Sequence, residues 1–328
     1  MTQHLNPRSG QPSPSGELGL SVVAPLFNEE ILAPELIRRL AESCRQTKIP
    51  FEIIIVNDGS TDSTLPTLVN LSRSVPELRV INLFRRFGHM PALSAGLSAA
   101  RGRAVIVMDG DLQDPPELVP QFLEQWQKGS EVVYGLRKSR REPFATRCFI
   151  ALFYFLLDKI SDTPIPKQAG TFCLMDRQVV DILNAMPEKE RYFAGLRAWV
   201  GGRQATIPYD RPDRPMGKSR VGLHGMLRLA KTALISFSKT PLRCASILSI
   251  LYGFTLFMIG LSAIIVKLFT NLAIPGWATT TALLGMTGFI QGLLLAIIAE
   301  YIAVIFDELK ARPLFLIREE FSNGEAVR

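Results

Sequence analysis

Two long apolar segments near the end of the chain restrict its fold more than any other feature. Residues 244–266 and 278–299 contain no Asp, Glu, Lys or Arg. Because a helix rises about 1.5 Å per residue, about 20 apolar residues cross a hydrocarbon core of roughly 30 Å. The two segments therefore predict a hairpin of membrane-spanning helices, and a pair of buried core helices is the alternative.

The charges beside these segments predict how the hairpin is oriented. Lys239 and Arg243 precede the first segment, and Lys310, Arg312 and Arg318 follow the second. Since Lys and Arg accumulate on the cytoplasmic side, both flanks are expected in the cytoplasm and loop 268–276 on the other side. Residues 1–17 are rich in Pro, Ser and Gly and have no apolar run, so we expect a disordered tail there rather than a signal peptide.

The overall charge favours anionic partners. The formal net charge is +7 and the isoelectric point is about 9.4, which suits an anionic membrane surface or phosphate-bearing substrates. Nothing in the sequence supports a nucleic-acid partner. The four cysteines form no C-x-x-C pair, so we expect neither a zinc site nor a disulfide framework.

The segment before the hairpin alternates short β-branched runs with longer amphipathic ones, which predicts an α/β domain with a mainly parallel, doubly wound sheet. The predicted strands are 20–24, 53–56, 79–83, 104–108 and 131–134, and the predicted helices are 29–46, 62–73, 90–101 and 116–128. Ligands of such sheets bind at the carboxyl ends of the strands.

Two further segments, 144–160 and 223–237, have an amphipathic, aromatic-rich pattern flanked by Lys and Arg. We interpret both as helices in the plane of the membrane interface. For 144–160, a core-facing helix is an equally good interpretation.

An acidic motif follows the predicted strand 104–108. Asp109 and Asp111 flank Gly110, which would let a diphosphate approach the backbone, and Gln113 could add an amide oxygen. Mg²⁺ or Mn²⁺ prefers such oxygen ligands together with substrate phosphates, although a lone D-x-D is also compatible with a solvated turn. Asp114 precedes two prolines and is expected to cap the helix that ends at Lys128.

A second acidic turn, N-D-G-S-T-D at 57–62, follows the predicted strand 53–56. We expect Asp58 to accept hydrogen bonds from a base or ribose, and Asp62 to cap the next helix. The chain lacks a G-x-G-x-x-G after its first strand, which disfavours a dehydrogenase. His89 and His224 have no catalytic partner pattern and are expected to be non-catalytic.

A basic segment, 211–220, lies between the predicted α/β domain and the predicted interfacial helix. Its cations are candidates for an anion clamp, and contact with anionic lipids is the alternative. The four cations are Arg211, Arg214, Lys218 and Arg220. A Walker ATPase is disfavoured because Pro212 occupies the place of the first P-loop glycine.

Four blocks together resemble the family-two inverting glycosyltransferases of the GT-A fold. The blocks are P-L-F-N-E-E at 25–30, V-N-D-G-S-T-D at 56–62, D-G-D-L-Q-D-P-P-E at 109–117 and A-W-V-G at 198–201. The basic segment, the paired apolar segments and residues 307–313 are similar to those of bacterial polyisoprenyl-phosphate glycosyltransferases of the GtrB type.

This resemblance implies a domain order and a set of site residues. It implies a tail (1–17), a cytoplasmic GT-A catalytic domain (18–221), a juxtamembrane amphipathic helix (222–243), a two-helix transmembrane hairpin (244–306) and a cytoplasmic C-terminal tail (307–328). Nucleotide-sugar contacts would come from Pro25, Phe27, Glu29, Asp58 and Asp109, and a Mg²⁺ or Mn²⁺ site from Asp109, Asp111 and Gln113. Substrate phosphates would be bound by Arg137, Arg211, Arg214, Lys218 and Arg220.

The implied reaction transfers a sugar, by default glucose from UDP-glucose, with inversion to a polyprenyl phosphate such as undecaprenyl phosphate. The enzyme would act as a homotetramer at the cytoplasmic face of the bacterial inner membrane. Thr171 and Asn57 depart from common family residues, which leaves GDP-mannose or a UDP-amino-arabinose-type donor open. A non-catalytic lipid-carrier subunit is the rival from another class, and a processive synthase is disfavoured because there is no Q-x-x-R-W element.

Overall fold

The computed structural model of the protein describes residues 18–137, 169–189, 191, 193–210, 245, 247–256, 258–259, 269 and 276–327. Several predicted segments lie outside these residues. They are the tail 1–17, the amphipathic segments 144–160 and 223–237, and the basic segment 211–220.

The described residues form a nine-stranded sheet in the order β7-β5-β6-β4-β1-β2-β3-β8-β9. The strands are β1 (Leu20–Leu26), β2 (Phe51–Asn57), β3 (Leu78–Leu83), β4 (Ala104–Val107), β5 (Val132–Arg137), β6 (Ala169–Asp176), β7 (Gln204–Tyr209), β8 (Ile317–Ser322) and β9 (Glu325–Ala326). The five predicted strands correspond to β1–β5, and no predicted end differs from the observed one by more than three residues.

Helices cover both faces of this sheet. They are α1 (Ala33–Gln46), α2 (Thr64–Ser74), α3 (His89–Ala99), a 3₁₀ turn (Pro116–Leu118), α4 (Val119–Gln127), α5 (Arg177–Ala185) and α6 (Phe193–Val200). Alternate residues of β1 face opposite sides, so Val22 packs in the core under α1 and α4 while Val23 packs in the core under α3, α5 and α6. The α/β prediction of a doubly wound domain is confirmed.

The direction of the outer strands differs from the prediction. β1, β2, β3 and β4 are parallel to their neighbours within this group, and β5 is parallel to β7. However, β6 is antiparallel to both β4 and β5, and β8 is antiparallel to β3 and β9. The sheet is therefore mixed, because a hydrophobic pattern indicates burial but carries no information about strand direction.

The C-terminal residues complete the sheet of the α/β domain. We expected 307–328 to be a separate tail, but β8 pairs with β3 and β9 pairs with β8. The guanidinium of Arg79 on β3 forms ion pairs with Glu52 on β2 and with Glu320 on β8, the latter at 2.6 Å. Residues from both ends of the chain thus share one sheet.

One helix of the described residues is long and apolar enough to cross a bilayer. It is α8 (Trp277–Leu309), in which Met286–Leu309 forms the candidate span. Its large apolar side chains are exposed, for example Leu284 at 72% and Phe289 at 74%. A shorter apolar helix, α7 (Ile247–Leu256), lies beside it, and the Tyr252 hydroxyl is 2.7 Å from Thr287 Oγ1.

Candidate functional site

The loops after β1 and β2 are bound to each other at the carboxyl ends of these strands. Asn28 has a positive φ of 53°, and its Oδ1 accepts the N–H of Thr61 at 2.9 Å. The N–H of Glu29 donates to the hydroxyl of Thr64, also at 2.9 Å. Parallel strands end at the same edge of a sheet, so this contact collects the polar groups of both loops at that edge.

Asp58 fixes the loop after β3. Its carboxylate is 3% exposed, and it accepts the backbone N–H of Phe87 at 2.7 Å and of Gly88 at 3.0 Å. Burial raises the pKa of Asp58, and the two backbone N–H groups oppose that shift only in part. The role predicted for Asp58, contact with a base or ribose, is not tested by these bonds. The bonds do show that the carboxylate holds the loop after β3 in place.

The other predicted nucleotide contacts have different surroundings. Phe27 follows β1, and the guanidinium carbon of Arg86 lies 4.1 Å from the centroid of the Phe27 ring. Pro25 is buried within β1, where it is paired with Val56 of β2. Asp62 accepts the N–H of Thr64, the first residue of α2, at 3.0 Å, but the N-cap position of that helix is Ser63 and it has no side-chain cap.

Loss of the Asp58 carboxylate is expected to free the 84–89 loop. In Asp58→Ala the N–H groups of Phe87 and Gly88 lose their acceptor, and because both residues are only partly buried, each loss costs at most the roughly 1–3 kcal/mol of a fully buried unsatisfied group. We expect faster amide hydrogen exchange at these two residues. Asp62→Ala, which alters only the start of α2, is the control and should leave exchange at 84–89 unchanged. Equal protection of Phe87 in Asp58→Ala and the wild type would contradict this role.

The D-x-D motif lies in the loop after β4, as predicted. Asp111 is 7% exposed and its Oδ1 accepts the N–H of Gln113 at 3.2 Å. Gly110 permits close packing on β1, because a Cβ there would collide with Leu26 and with the carbonyl oxygen of Pro25. The approach of a diphosphate to this glycine stays a prediction.

His89 also lies at this site, although it was not among the candidate site residues predicted from the sequence. It is the first residue of α3, and its Nε2 lies 3.4 Å from Oδ1 of Asp109. The loop that carries it is held by Asp58, so the turns after β2, β3 and β4 meet at one place. One sequence feature did indicate its position, because His89 comes after the third predicted strand and so lies near the carboxyl end of that strand.

Asp114 has a different role from the predicted helix cap. Its carboxylate is fully buried, Oδ1 accepts the hydroxyl of Tyr209 at 2.7 Å, and Oδ2 accepts the N–H of Asp109 at 3.3 Å. The 3₁₀ turn that follows has no side-chain cap. Asp114 therefore stabilises the D-x-D turn itself.

Arg137 lies at the end of β5, beside the end of β7. Its Nε donates to the hydroxyl of Tyr209 at 3.4 Å. Burial alone would lower the pKa of Arg137, but the bond to Tyr209 and the carboxylates of Asp114 and Asp109 outweigh it and raise the pKa. Arg137 is thus a cation at the carboxyl end of the sheet, next to the acidic loop.

The donor set is compatible with a hard divalent cation. Asp109 and Asp111 provide carboxylate oxygens and Gln113 provides an amide oxygen within one short loop, which suits Mg²⁺ or Mn²⁺ completed by substrate phosphates. Among the described residues no group of three His, Cys, Asp or Glu side chains is arranged as a protein-only metal cage. The predicted cations Arg211, Arg214, Lys218 and Arg220 lie outside the described residues.

Fold and site together define an α/β domain whose polar groups collect at the carboxyl ends of parallel strands, where sheets of this class bind ligands. Residues 21–183 match the model of Glycosyl transferase family 2. "Uncharacterized glycosyltransferase YkcC" of Bacillus subtilis (strain 168) is 39% identical over 308 residues, which cover 94% of this chain and 95% of the relative. The chain therefore belongs to glycosyl transferase family 2, as its motifs predict.

Two other similarities extend this comparison. "Bactoprenol glucosyl transferase" of Shigella phage SfV is 34% identical over 302 residues, covering 92% of this chain and 98% of the relative. The solved mannosyltransferase PcManGT from Pyrobaculum calidifontis, in complex with GDP-Man and Mn²⁺, is similar over 91% of both chains at 18% identity and a TM-score of 0.44. At that TM-score the family assignment rests on the sequence relatives. Family membership confirms the predicted GT-A class of fold and a glycosyltransferase activity.

Proposed function

We propose that this protein transfers glucose from a nucleotide sugar to a polyprenyl phosphate at the cytoplasmic face of a bacterial inner membrane. The observation that carries the proposal is the 34% identity to a bactoprenol glucosyl transferase over 92% of this chain. That alignment is long enough to include most of the catalytic sheet together with the apolar C-terminal part. The retained carboxylates Asp58, Asp109 and Asp111 argue against a non-catalytic lipid-carrier subunit.

The reaction joins two anions and has little need of a general base. A phosphate monoester has a second pKa near 6, so the lipid phosphate is already a nucleophile at neutral pH. Its oxygen attacks the anomeric carbon, the glycosidic C–O bond to the nucleoside diphosphate breaks, and the configuration inverts. The protein must therefore align the two substrates and offset their charge.

The described residues divide this work between two sides of the site. We assign Asp109, Asp111 and Gln113 to a Mg²⁺ or Mn²⁺ ion, which when bound would offset the charge of the departing diphosphate. We assign Phe27, Glu29 and Asp58, which lie in the loops after β1 and β2, to the nucleotide side. Arg137 lies on the other side, where we place the lipid phosphate, together with the cations of segment 211–220.

The sheet topology supports the proposed membrane hairpin. Because β8 pairs with β3, residues 78–83 and 317–322 must lie on the same side of any membrane. If Met286–Leu309 crosses the bilayer, the chain must therefore cross it once more between β7 and α8. Segment 244–266 is the uncharged stretch in that interval, so we propose it as the second span. Assembly as a homotetramer remains a prediction.

Transfer of radiolabelled sugar to lipid tests the proposed function. Purified full-length protein would be incubated with undecaprenyl phosphate, MnCl₂ and either UDP-[¹⁴C]glucose or GDP-[¹⁴C]mannose, and the organic phase would be analysed by mass spectrometry. We expect glucosyl phosphoryl lipid from UDP-glucose and none in excess EDTA. Product from GDP-mannose alone would show that the donor is GDP-mannose rather than UDP-glucose. Failure with every nucleotide sugar would contradict the proposal.

A further inference from the structure

A chain of three hydrogen bonds, of which the Tyr209–Asp114 bond is buried and the other two are partly buried, joins the two sides of the site through Tyr209. The Tyr209 hydroxyl donates to Asp114 Oδ1 at 2.7 Å and accepts from Arg137 Nε at 3.4 Å. Asp114 Oδ2 then accepts the backbone N–H of Asp109 at 3.3 Å. Two side chains, those of Tyr209 and Asp114, thus connect the arginine at the end of β5 with the first residue of the D-x-D motif.

The sheet, rather than a loop, sets the position of this hydroxyl. Tyr209 is the last residue of β7 and is the register partner of Arg137 on β5. Its ring is 4% exposed and contacts Phe172 edge-on, with centroids 5.7 Å apart. A Cβ at Gly135 would lie 2.6 Å from the Tyr209 ring, so this glycine makes room for it. The hydroxyl therefore has little freedom to move.

The protonation of Tyr209 suits a permanent donor. Burial raises the pKa of its hydroxyl, and the neighbouring carboxylate of Asp114 raises it further, while Arg137 opposes the shift. The hydroxyl thus keeps its proton at neutral pH and can donate to Asp114 throughout a catalytic cycle. Tyr209 also lies two residues before Arg211, where the basic segment begins.

We propose that Tyr209 is a positioning residue that holds the D-x-D turn and Arg137 in register, so that the donor and the lipid phosphate meet in line. This rests on the proposed function, which places the donor at the D-x-D turn and the phosphate at Arg137. Tyr209 touches neither substrate in this proposal and acts through Asp114 and Arg137. Small misplacements of reacting groups cost as much as about 100-fold in rate, so a single hydroxyl can matter.

Tyr209→Phe removes the hydroxyl and keeps the packed ring. We expect kcat for glycolipid synthesis to fall about 10- to 100-fold. We also expect the affinity for Mn²⁺ alone, measured by electron paramagnetic resonance, to weaken about tenfold, as is typical when a group behind a metal ligand is lost. A merely structural tyrosine would change neither quantity beyond its effect on stability.

Tyr134→Phe is the matched control. Tyr134 lies on β5 and is 7% exposed, and its hydroxyl bonds Gln204 at 3.4 Å rather than the acidic loop. This variant should keep wild-type kcat and Mn²⁺ affinity. The proposal is overturned if Tyr209→Phe matches the wild type, or if Tyr134→Phe shows the same losses.

The Mn²⁺ measurement separates this proposal from the proposed function. If the wild type makes no glycolipid from any donor, the proposed function fails, but the effect of Tyr209 on the metal loop is still measured. Weaker Mn²⁺ binding in Tyr209→Phe would then support the positioning role, and unchanged binding would refute it.

Discussion

Asp111→Asn is expected to lower the rate of glycolipid synthesis by at least about 1,000-fold, because a metal ion contributes several kcal/mol to such a transition state. The substitution removes a charge and keeps the size of the side chain. An asparagine oxygen can still accept the N–H of Gln113, which Asp111 Oδ1 accepts at 3.2 Å. We therefore expect the free energy of unfolding to change by less than about 1 kcal/mol. The assay is radiolabel transfer to undecaprenyl phosphate at saturating donor.

Asp181→Asn is the control for loss of a carboxylate. Asp181 lies on α5, is 62% exposed in its side chain and pairs with Arg177 at 3.4 Å, remote in sequence from the acidic loop. This variant should retain wild-type activity. Near-normal synthesis by Asp111→Asn, with the same dependence on Mn²⁺ as the wild type, would remove the carboxylate pair from the proposed metal site.

Arg79→Met is expected to cause the largest loss of stability, about 3–5 kcal/mol, because it leaves buried carboxylates without their cation. The side chains of Glu52 and Glu320 are only 5% and 18% exposed, and both pair with Arg79. Urea titration of the full-length protein in detergent would measure the loss. Hydrogen exchange should show that β3 and β8 open first.

Two further variants make this prediction specific. Arg45→Met removes a cation that is 54% exposed and pairs with Glu77 at 3.2 Å, so it should lose far less stability. Adding Glu52→Gln and Glu320→Gln to Arg79→Met should recover part of the loss, because no unpaired carboxylate then remains. A loss in Arg79→Met no greater than in Arg45→Met would show that the buried pairs contribute little.

The sequence predicted the centre of the sheet better than its edges. β1, β2 and β4 are buried on both faces and therefore read as continuous apolar runs. In contrast, β7 at one edge alternates exposed and buried residues, and β8 contains Arg318, Glu319 and Glu320. The charges of β8 are typical of a solvated tail, because Arg79, the partner of Glu320, lies 241 residues away in the sequence. Local patterns carry no record of such a distant partner.

The site shows the same division between local and distant information. The D-x-D motif and the turn of Asp58 were predicted because each directly follows a strand. The bond between Asp114 and Tyr209 joins residues 95 positions apart and depends on the register of β5 with β7. The sequence therefore predicted Asp114 as a helix cap, and no sequence pattern indicated Tyr209 as a site residue. Family resemblance alone predicted a role for Arg137, whereas residue chemistry already offered Gln113 as a source of an amide oxygen. Both roles stay predictions.

The pairing of β8 with β3 also determines the order in which this protein can fold during its synthesis. A ribosome makes strands β1 to β7 first and β8 only after the apolar helix α8, so β3 remains an open edge until residues 317–322 have been made. During that interval Arg79 lacks its partner Glu320. A nascent chain cut short inside α8 would expose a strand edge ready to pair with a second chain, whereas a chain that includes β8 closes that edge itself.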